Sequence, residues 1–450
     1  MNTGSPVTSG SDGSSPTPWP DIEQIPTGIR ARLAAKIAHR LFHRAVRALA
    51  LRVEYPDGTV LGRDPNDQNA PRMILHRPED FALRLGAGGL IGFGESYMAG
   101  DWSAPDPAAT LTVFASSIET LVPAPLRALR HLYVARHPAA ERNCEANTRD
   151  NIARHYDLSN ELFELFLDET LTYSSALFPS TTPPPRWDDL AAAQRAKIER
   201  ILDHAAVGPG TRLLEIGTGW GELALRAAER GAVVRSVTLS VEQRDAALRR
   251  IAAAGLSDRV TIDLLDYRRV QGEFDAVVSV EMIEAVGYEY LDTFFRTIDR
   301  VLAPEGRAVL QAITMPHHRM LATRRTYTWV HKYIFPGGFL PSTQLLAEVA
   351  VRSTGLVMRE RLSMGEHYAH TLRLWRQRFD SHTTQITQLG FDPIFRRMWR
   401  LYLAHSEAGF RCGYLDVQQL RFERRGESAD GSAEQLPQRR FQCGRTESVP

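Results

Sequence analysis

The stretch "LLEIGTGWGELALRAAERGAVVRSVTLS" (residues 213–240) decides the fold class of this 450-residue chain. An apolar segment ends at Glu215 and Ile216, three closely spaced glycines follow, and an alanine-rich segment leads to a second apolar one. Glycines let a backbone turn approach a ligand closely. The spacing is G-x-G-x-G, whereas a dinucleotide fingerprint needs G-x-G-x-x-G, and Glu222 stands at the place of the third glycine. The turn therefore indicates an adenosine-containing ligand other than a dinucleotide.

Strand and helix patterns alternate around this turn, and this predicts a doubly wound parallel sheet of the α/β class. The predicted strands are 211–216, 233–238, 259–263, 274–280 and 306–313, and the predicted helices are 188–205, 221–230, 241–254 and 290–302.

The chain is predicted to have five parts. They are a polar leader (1–20), a small α+β domain (21–115), a helical linker (116–150), the α/β domain (151–428) and a polar tail (429–450). The leader is rich in Ser, Pro, Gly and Thr, so it cannot bury enough apolar surface to offset its ordering entropy. Within the small domain, the Pro-Asp-Gly turn at 56–58 predicts a hairpin, and the glycine-dense stretch 81–102 predicts a strand and turn region.

Residues 28–52 predict a basic amphipathic helix that runs into a strand. Apolar residues recur at helical spacing, and seven Arg and Lys residues occur with no acidic residue among them. One interpretation is a helix that covers a small domain and has a solvated basic face. The other is contact with an anionic membrane surface.

Composition excludes several classes of protein. The formal net charge is +1 and 43% of the residues are hydrophobic, so the chain lacks the uniform positive field of a nucleic-acid-binding protein. The three cysteines are far apart, which predicts neither a disulfide framework nor a zinc site and suits a reducing cytoplasm. The histidine pairs lack a third ligand at suitable spacing, so no metal site is predicted. No run of eighteen apolar residues occurs.

The acidic residue before the turn, Glu215, is typical of S-adenosylmethionine (SAM)-dependent methyltransferases. SAM carries a sulfonium cation and no phosphate, so an acidic rim suits it. The second strand ends in "VTLS" without an acidic residue, so hydroxyl and amide groups are expected to contact the ribose. Asp266, after the third strand, can accept a hydrogen bond from the adenine amino group.

The string "TLSVEQ" (238–243) resembles one branch of these enzymes, the cyclopropane-fatty-acyl-phospholipid synthases and the related mycolic-acid methyltransferases. Further stretches between residue 81 and about residue 420 are similar to that family. They are "GFGESYMAGDW" (92–102), "RHYDLSNELFELFLDETLTYSSALF" (154–178), "VEMIEAVG" (280–287), "WVHKYIFPGGFLPS" (329–342) and "GEHYAHTLRLW" (365–375).

The resemblance implies a Rossmann-like class I methyltransferase domain with a helical lid over an acyl chain, preceded by an α+β lipid-binding domain. It also implies a homodimer that acts on unsaturated phospholipid acyl chains at the inner face of the plasma membrane, without a nucleic-acid partner. The cofactor-binding residues implied are Tyr173, Ser174, Glu215, Gly217, Gly219, Gly221, Thr238, Gln243, Asp266 and Tyr267.

Methyl transfer to a cis alkene leaves a carbocation, which needs a stabilising carboxylate and a base. Glu284 is the expected carboxylate, with Tyr368 as its hydroxyl partner. In the cyclopropane synthases a bicarbonate ion, held by five residues, is the base. The matching positions here are Ser175, Glu284, Gln311, Ile313 and Tyr368, with Ser175 in place of the family's cysteine and Gln311 in place of its histidine. A bicarbonate site is therefore possible in an altered form.

The altered base site leaves two products open. A hydride shift followed by loss of a methyl proton gives a 10-methylene lipid, as in the branch that leads to tuberculostearate, whereas direct ring closure gives a cyclopropane. Reduction of a methylene group would need a separate reductase, because the chain has no second nucleotide fingerprint. The alternatives from other classes are a methyltransferase acting on a small soluble molecule and a lipid-binding module without catalysis.

Overall fold

The computed structural model describes residues 19–117 and 159–425. The predicted leader, linker and polar tail lie outside the described residues, apart from residues 19–20 and 116–117.

The N-terminal part combines helices with a small sheet. Its elements are α1 (Pro20–Glu23), α2 (Ile29–Val46), β1 (Arg52–Glu54), β2 (Val60–Leu61), β3 (Arg72–Leu75), α3 (Pro78–Gly88), α4 (Leu90–Ala99), β4 (Trp102–Ser103) and α5 (Pro107–Ser116). The strand order is β2-β1-β3-β4. The predicted hairpin is confirmed, because β1 and β2 are antiparallel and Gly58 in the turn between them has φ 86°.

The prediction of strand and turn for residues 81–102 is wrong, because most of this stretch forms α3 and α4. Its glycines allow close packing of helices. A Cβ atom on Gly92 would lie 1.9 Å from the Arg84 carbonyl oxygen, and one on Gly94 would lie 2.4 Å from the Trp329 ring. Glycine density here reflects helix contacts and not turns.

The larger part is built on a seven-stranded sheet. Its first elements are α6 (Asn160–Phe166), α7 (Leu190–His204), β5 (Arg212–Ile216), α8 (Glu222–Glu229), β6 (Val233–Thr238), α9 (Val241–Ala253), β7 (Val260–Leu264), β8 (Phe274–Val280), α10 (Leu291–Val301) and β9 (Leu302–Thr314). The remaining elements are α11 (His317–Thr323), α12 (Trp329–Tyr333), α13 (Thr343–Ser353), β10 (Leu356–Ser363), α14 (Gly365–Ser381), α15 (Thr383–Gln388), α16 (Pro393–Arg411) and β11 (Asp416–Arg424).

The strand order is β10-β11-β9-β8-β5-β6-β7. The five predicted strands are all present and pair in parallel, as expected for a doubly wound sheet. Two antiparallel strands that the sequence analysis did not predict, β11 and β10, extend the sheet beyond β9. The sheet is therefore mixed. In such sheets ligands bind outside the carboxyl ends of the parallel strands.

Apolar side chains cover both faces of the sheet, and a third core joins the N-terminal part to the C-terminal helices. This third core contains Met73 and Trp102 together with Trp375 and Trp399, all fully buried. Arg400 of α16 donates a hydrogen bond to the Tyr97 hydroxyl of α4 at 3.0 Å. The two parts thus share one apolar interior. Within the described residues, no helix combines the length and apolarity that crossing a bilayer requires.

Candidate active site

A pocket lies at the carboxyl ends of β5, β6 and β8, where the fold places ligands. Eight of the predicted cofactor residues line it: Tyr173, Ser174, Glu215, Gly217, Gly219, Thr238, Gln243 and Tyr267. The glycine turn, the end of β6 and the segment after β7 are thus brought to one site.

The turn glycines have backbone angles that other residues rarely adopt, with φ 97° at Gly217 and 52° at Gly219. A Cβ atom on Gly217 would lie 2.8 Å from the Cγ atom of Met282. Gly221 has φ 88° and packs against Ala247 of α9, where an added Cβ atom would lie 2.8 Å from that residue's Cβ. Gly221 therefore sets the packing of the helix that follows the turn, whereas Gly217 and Gly219 line the pocket.

Glu215 is a buried carboxyl on the pocket wall. The Ser236 hydroxyl donates to its Oε2 at 2.5 Å, and the Ser236 and Thr218 hydroxyls are 2.7 Å apart. Burial raises the pKa of the Glu215 carboxyl to about 8, although the hydrogen bond from Ser236 opposes the shift. A bound cation would favour its ionised form.

At the end of β6, Thr238 and Gln243 lie side by side. The Thr238 hydroxyl donates to the Gln243 side-chain oxygen at 3.3 Å, and both residues are buried. A hydroxyl and an amide group thus lie at the end of β6, and their contact with the ribose stays a prediction.

Asp266 is placed differently from the expectation. Its carboxylate accepts hydrogen bonds from the backbone and guanidinium of Arg268, the latter at 2.5–2.8 Å. Tyr267 and Arg268 are the neighbours that line the pocket. The Asp266 carboxylate is therefore engaged in capping a short helical turn.

Tyr173 and Ser174 approach the pocket from the segment after α6. The Tyr173 hydroxyl lies 2.7 Å from that of Tyr402, and its ring packs 5.3 Å from the ring of Trp375. Ser174 accepts a hydrogen bond at 2.5 Å from the ammonium of Lys197, which is fully buried. Burial lowers the pKa of Lys197 to about 8, although the charges of Glu281 and Asp168 oppose the shift.

Glu284 lies in a helical turn (Ile283–Ala285) after β8 and is partly buried. Its Oε1 accepts a hydrogen bond at 2.5 Å from the backbone N–H of Ile313, a group that the resemblance assigned to a bicarbonate ion. Its Oε2 is buried and has no hydrogen-bond partner among the described residues. Burial, together with the negative charge of Glu281, raises the pKa of Glu284 to about 8.

The sequence analysis missed Glu281, which lines the pocket directly after β8. Its Oε1 accepts hydrogen bonds from the backbone N–H of Ser175 at 2.9 Å and from the Gln311 amide at 2.7 Å. Its Oε2 accepts one from the Tyr368 hydroxyl at 2.7 Å. The expected pairing of Tyr368 with Glu284 is therefore wrong in this structure, because Glu281 takes the hydroxyl. A usable signal was present, since Glu281 follows a parallel strand at its carboxyl end, where site residues concentrate.

Ser175 also acts differently from the expectation that its hydroxyl would contact an anion. That hydroxyl donates to the Ala176 carbonyl oxygen, at 3.0 Å, and only the Ser175 backbone N–H reaches the Glu281 carboxylate.

A chain of hydrogen bonds fixes the Gln311 amide. Arg200 donates to the Gln419 side-chain oxygen at 2.6 Å, and the Gln419 amide donates to the Gln311 side-chain oxygen at 3.1 Å. The Gln311 amide nitrogen is consequently directed at Glu281. Gln419 lies on β11, one of the strands that the sequence analysis did not predict.

Aromatic rings pack around Tyr368, whose hydroxyl contacts Glu281 at this end of the pocket. The Tyr368 ring packs 4.6 Å from Phe410 and 6.2 Å from Trp375, and Trp375 in turn contacts Tyr173. Such faces stabilise positive charge and exclude water. The site therefore combines a pocket at the carboxyl ends of the parallel strands, a pair of carboxyl groups and an aromatic wall.

Comparisons with known proteins agree with this geometry. A family model described as mycolic acid cyclopropane synthetase matches residues 144–420. A tuberculostearic acid methyltransferase of Mycobacterium tuberculosis is 54% identical over 410 residues, which cover 91% of this chain and 96% of that protein. A cyclopropane-fatty-acyl-phospholipid synthase of Escherichia coli is 34% identical over 366 residues, 79% of this chain and 89% of that protein.

The fold is also similar to solved structures. A mycolic acid cyclopropane synthase complexed with SAH and CTAB is 31% identical, with a TM-score of 0.56, and the match covers 61% of this chain and 98% of that one. A cyclopropane synthase from Mycobacterium tuberculosis gives the same TM-score at 30% identity, over 61% of this chain and 97% of that one. The chain belongs to the mycolic acid cyclopropane synthetase family, and it is a SAM-dependent methyltransferase.

Proposed function

We propose that this enzyme methylates the cis double bond of unsaturated acyl chains in phospholipids and releases a lipid with a mid-chain methylene group. SAM supplies an electrophilic methyl group. The residues of the chain hold the alkene in a dry pocket, stabilise the carbocation and remove a proton. The product is expected to be a 10-methylene acyl chain, which a separate reductase would convert to the methyl form.

This proposal rests on a difference in sequence identity, which is higher to a tuberculostearic acid methyltransferase than to a cyclopropane synthase. Identity is 54% to the tuberculostearic acid methyltransferase and 34% to the cyclopropane-fatty-acyl-phospholipid synthase. The site supports it as well, because an aromatic wall beside two carboxyl groups suits a cation formed on a hydrocarbon.

The test is incubation of the purified enzyme with SAM and vesicles of dioleoyl phosphatidylglycerol, followed by mass spectrometry of the acyl chains. Ozonolysis separates the products, because a methylene group is cleaved to a ketone and a cyclopropane ring is not. We expect the ketone. A cyclopropane product would show that the enzyme is a cyclopropane synthase. Unmodified oleoyl chains would contradict a lipid substrate.

The basic helix α2 supports action at a membrane surface. Its exposed side carries Ile29, Leu33 and Ile37, which are 86%, 61% and 52% exposed and spaced four residues apart. Exposed Arg30, Arg32, Lys36 and Arg40 surround them. An apolar stripe flanked by basic residues is typical of helices that lie in the interface of an anionic membrane. We therefore propose that the enzyme is cytoplasmic and binds the membrane peripherally through α2. The homodimer is proposed from the family resemblance alone.

Vesicle sedimentation tests the membrane contact. Replacement of Ile29, Leu33 and Ile37 by Gln should weaken binding to anionic vesicles by about tenfold or more, since the inserted apolar area is lost. Val351→Gln is the matched control, because Val351 is 48% exposed on a different helix, α13. Equal binding by the triple variant and the wild type would exclude α2 as the contact.

A further inference from the structure

The hydrogen-bond donors expected to hold a bicarbonate ion already hold a side chain of this protein. The Ser175 backbone N–H, the Gln311 amide and the Tyr368 hydroxyl converge on the Glu281 carboxylate, at 2.9, 2.7 and 2.7 Å. The remaining donor, the Ile313 backbone N–H, contacts Glu284. All of the positions matched to the bicarbonate site are thus engaged by two carboxyl groups.

A bicarbonate ion does not fit this arrangement. It would have to displace the Glu281 carboxylate from its donors and would bring a further negative charge beside the Glu281 carboxylate, in a site where burial already disfavours ionisation of Glu284. Adjacent like charges in a buried site oppose one another strongly. Lys197 lies near enough for its positive charge to act on Glu281, but its ammonium is already bound to Ser174.

Glu281 has a backbone conformation that residues other than glycine rarely adopt. Glu281 has φ 49°, in the left-handed region that favours glycine. Strained residues of this kind cluster at active sites, where the surrounding contacts hold them. Glu281 is also partly exposed through the pocket that it lines, so a ligand in that pocket can reach it.

We propose that Glu281 is the catalytic base of this enzyme and takes the role that bicarbonate has in the cyclopropane synthases. The inference rests on the function proposed above. Methyl transfer forms a C–C bond with the alkene π electrons and breaks the sulfur–methyl bond, leaving a carbocation on the acyl chain. A hydride then shifts from the methylated carbon to its cationic neighbour. The Glu281 carboxylate removes a proton from the new methyl group, and the C–H electron pair becomes the exocyclic double bond.

After this step Glu281 is a neutral acid, and it returns its proton to water through the pocket when the products leave. Gln311, Tyr368 and the Ser175 backbone act as positioning groups that aim the carboxylate. Glu284 lies beside this base. An ionised Glu284 places a second negative charge next to Glu281, whereas a protonated Glu284 does not.

Two variants test the role of Glu281. Glu281→Gln keeps the size of the side chain but cannot accept the proton, so turnover should fall about 100-fold while SAH affinity changes less than twofold. Glu281→Gly suits the φ of 49° and frees the donors for a small anion. In buffer freed of carbon dioxide, this variant should be inactive, and added bicarbonate should raise its turnover at least about tenfold. Glu289→Gln, an exposed acid in the same region, is the matched control.

Wild-type turnover of oleoyl vesicles should be the same with and without bicarbonate. A wild-type enzyme that requires bicarbonate would overturn the role of Glu281 while leaving the proposed function intact. Turnover by Glu281→Gln above about a third of the wild-type value would also overturn this role. The same holds if bicarbonate does not raise the turnover of Glu281→Gly. Wild-type enzyme that leaves oleoyl chains unmodified would instead contradict the proposed function.

Discussion

The two ends of the pocket are built in different ways. At the cofactor end, the wall with the special backbone angles comes from one continuous stretch, in which Glu215, Gly217 and Gly219 lie at and just after the end of β5. At the carboxylate end, residues far apart in sequence meet, since Ser175, Glu281, Gln311 and Tyr368 lie on different elements. The first end depends on backbone conformation, and the second depends on side chains that the fold assembles. Substitutions should therefore affect the two ends in distinguishable ways.

The largest effect is expected at the cofactor end, from Gly217→Val. A β-branched residue is strained at φ 97°, and its Cβ would lie 2.8 Å from the Met282 Cγ atom. SAH affinity, measured by calorimetry, should fall about 100-fold or more, which corresponds to roughly 2.7 kcal/mol. Gly208→Ala is the control, because Gly208 has open space around it. Equal affinity of Gly217→Val and the wild type would show that the turn does not contact the cofactor.

At the carboxylate end, Gln311→Leu should separate catalysis from cofactor binding. A hydrogen bond to a charged group contributes about 2 kcal/mol, so turnover should fall about 30-fold. SAH affinity should stay within twofold, because Gln311 contacts Glu281 and not the glycine turn. Gln344→Leu, at an exposed position on α13, controls for the change of side chain. A parallel loss of SAH affinity would mean that the two ends are not independent.

The pH dependence of SAM affinity should identify Glu215. Its carboxyl is neutral below its pKa of about 8, and a cation binds its ionised form, so binding releases a proton. Affinity should therefore rise as the pH is raised from 6 to 8, by about fiftyfold, because the ionised fraction of the carboxyl rises from about 1% to about half, and it should level off above pH 8. Titration calorimetry of the wild type and Glu215→Gln measures this. A slope of the same size in the variant would assign the effect to the ligand's own amino group.

The smallest effect is expected from Ser175→Cys, which restores the residue type of the cyclopropane synthases. Because the backbone N–H of Ser175 holds Glu281 while its hydroxyl donates to the Ala176 carbonyl, the side chain is not part of the contact. Turnover and product ratio should change less than about twofold. A shift of product toward cyclopropane, seen by ozonolysis and mass spectrometry, would show that the side chain acts on the reaction.

Features defined by a local stretch of sequence could be predicted, whereas contacts between distant residues could not. Strands such as 211–216 and 233–238 agree with β5 and β6 to within a residue, because local apolar patterns and the glycine turn define them. The strand assignment for 81–102 failed because glycines that permit helix contacts look in sequence like glycines of a turn. No local pattern predicted the contacts of Glu281, since they depend on which residues the completed sheet and α14 bring together.

Gln311 shows most clearly what the sequence alone could not predict. Its place in the site follows from the family resemblance, but the direction of its amide depends on Gln419 and Arg200, which are 108 and 111 positions away. A long polar side chain can face either way, and a network selects one orientation. The resemblance therefore gave the position, whereas the chemistry of the amide required the structure.

The apolar interior shared by α4 and α16 has a consequence for dividing the polypeptide. Residues 19–117 and 159–425 each contribute buried tryptophans to it, so either piece made alone would expose a broad apolar face. Fragments that carry these two parts, produced together as separate chains, should therefore recognise each other through this interior.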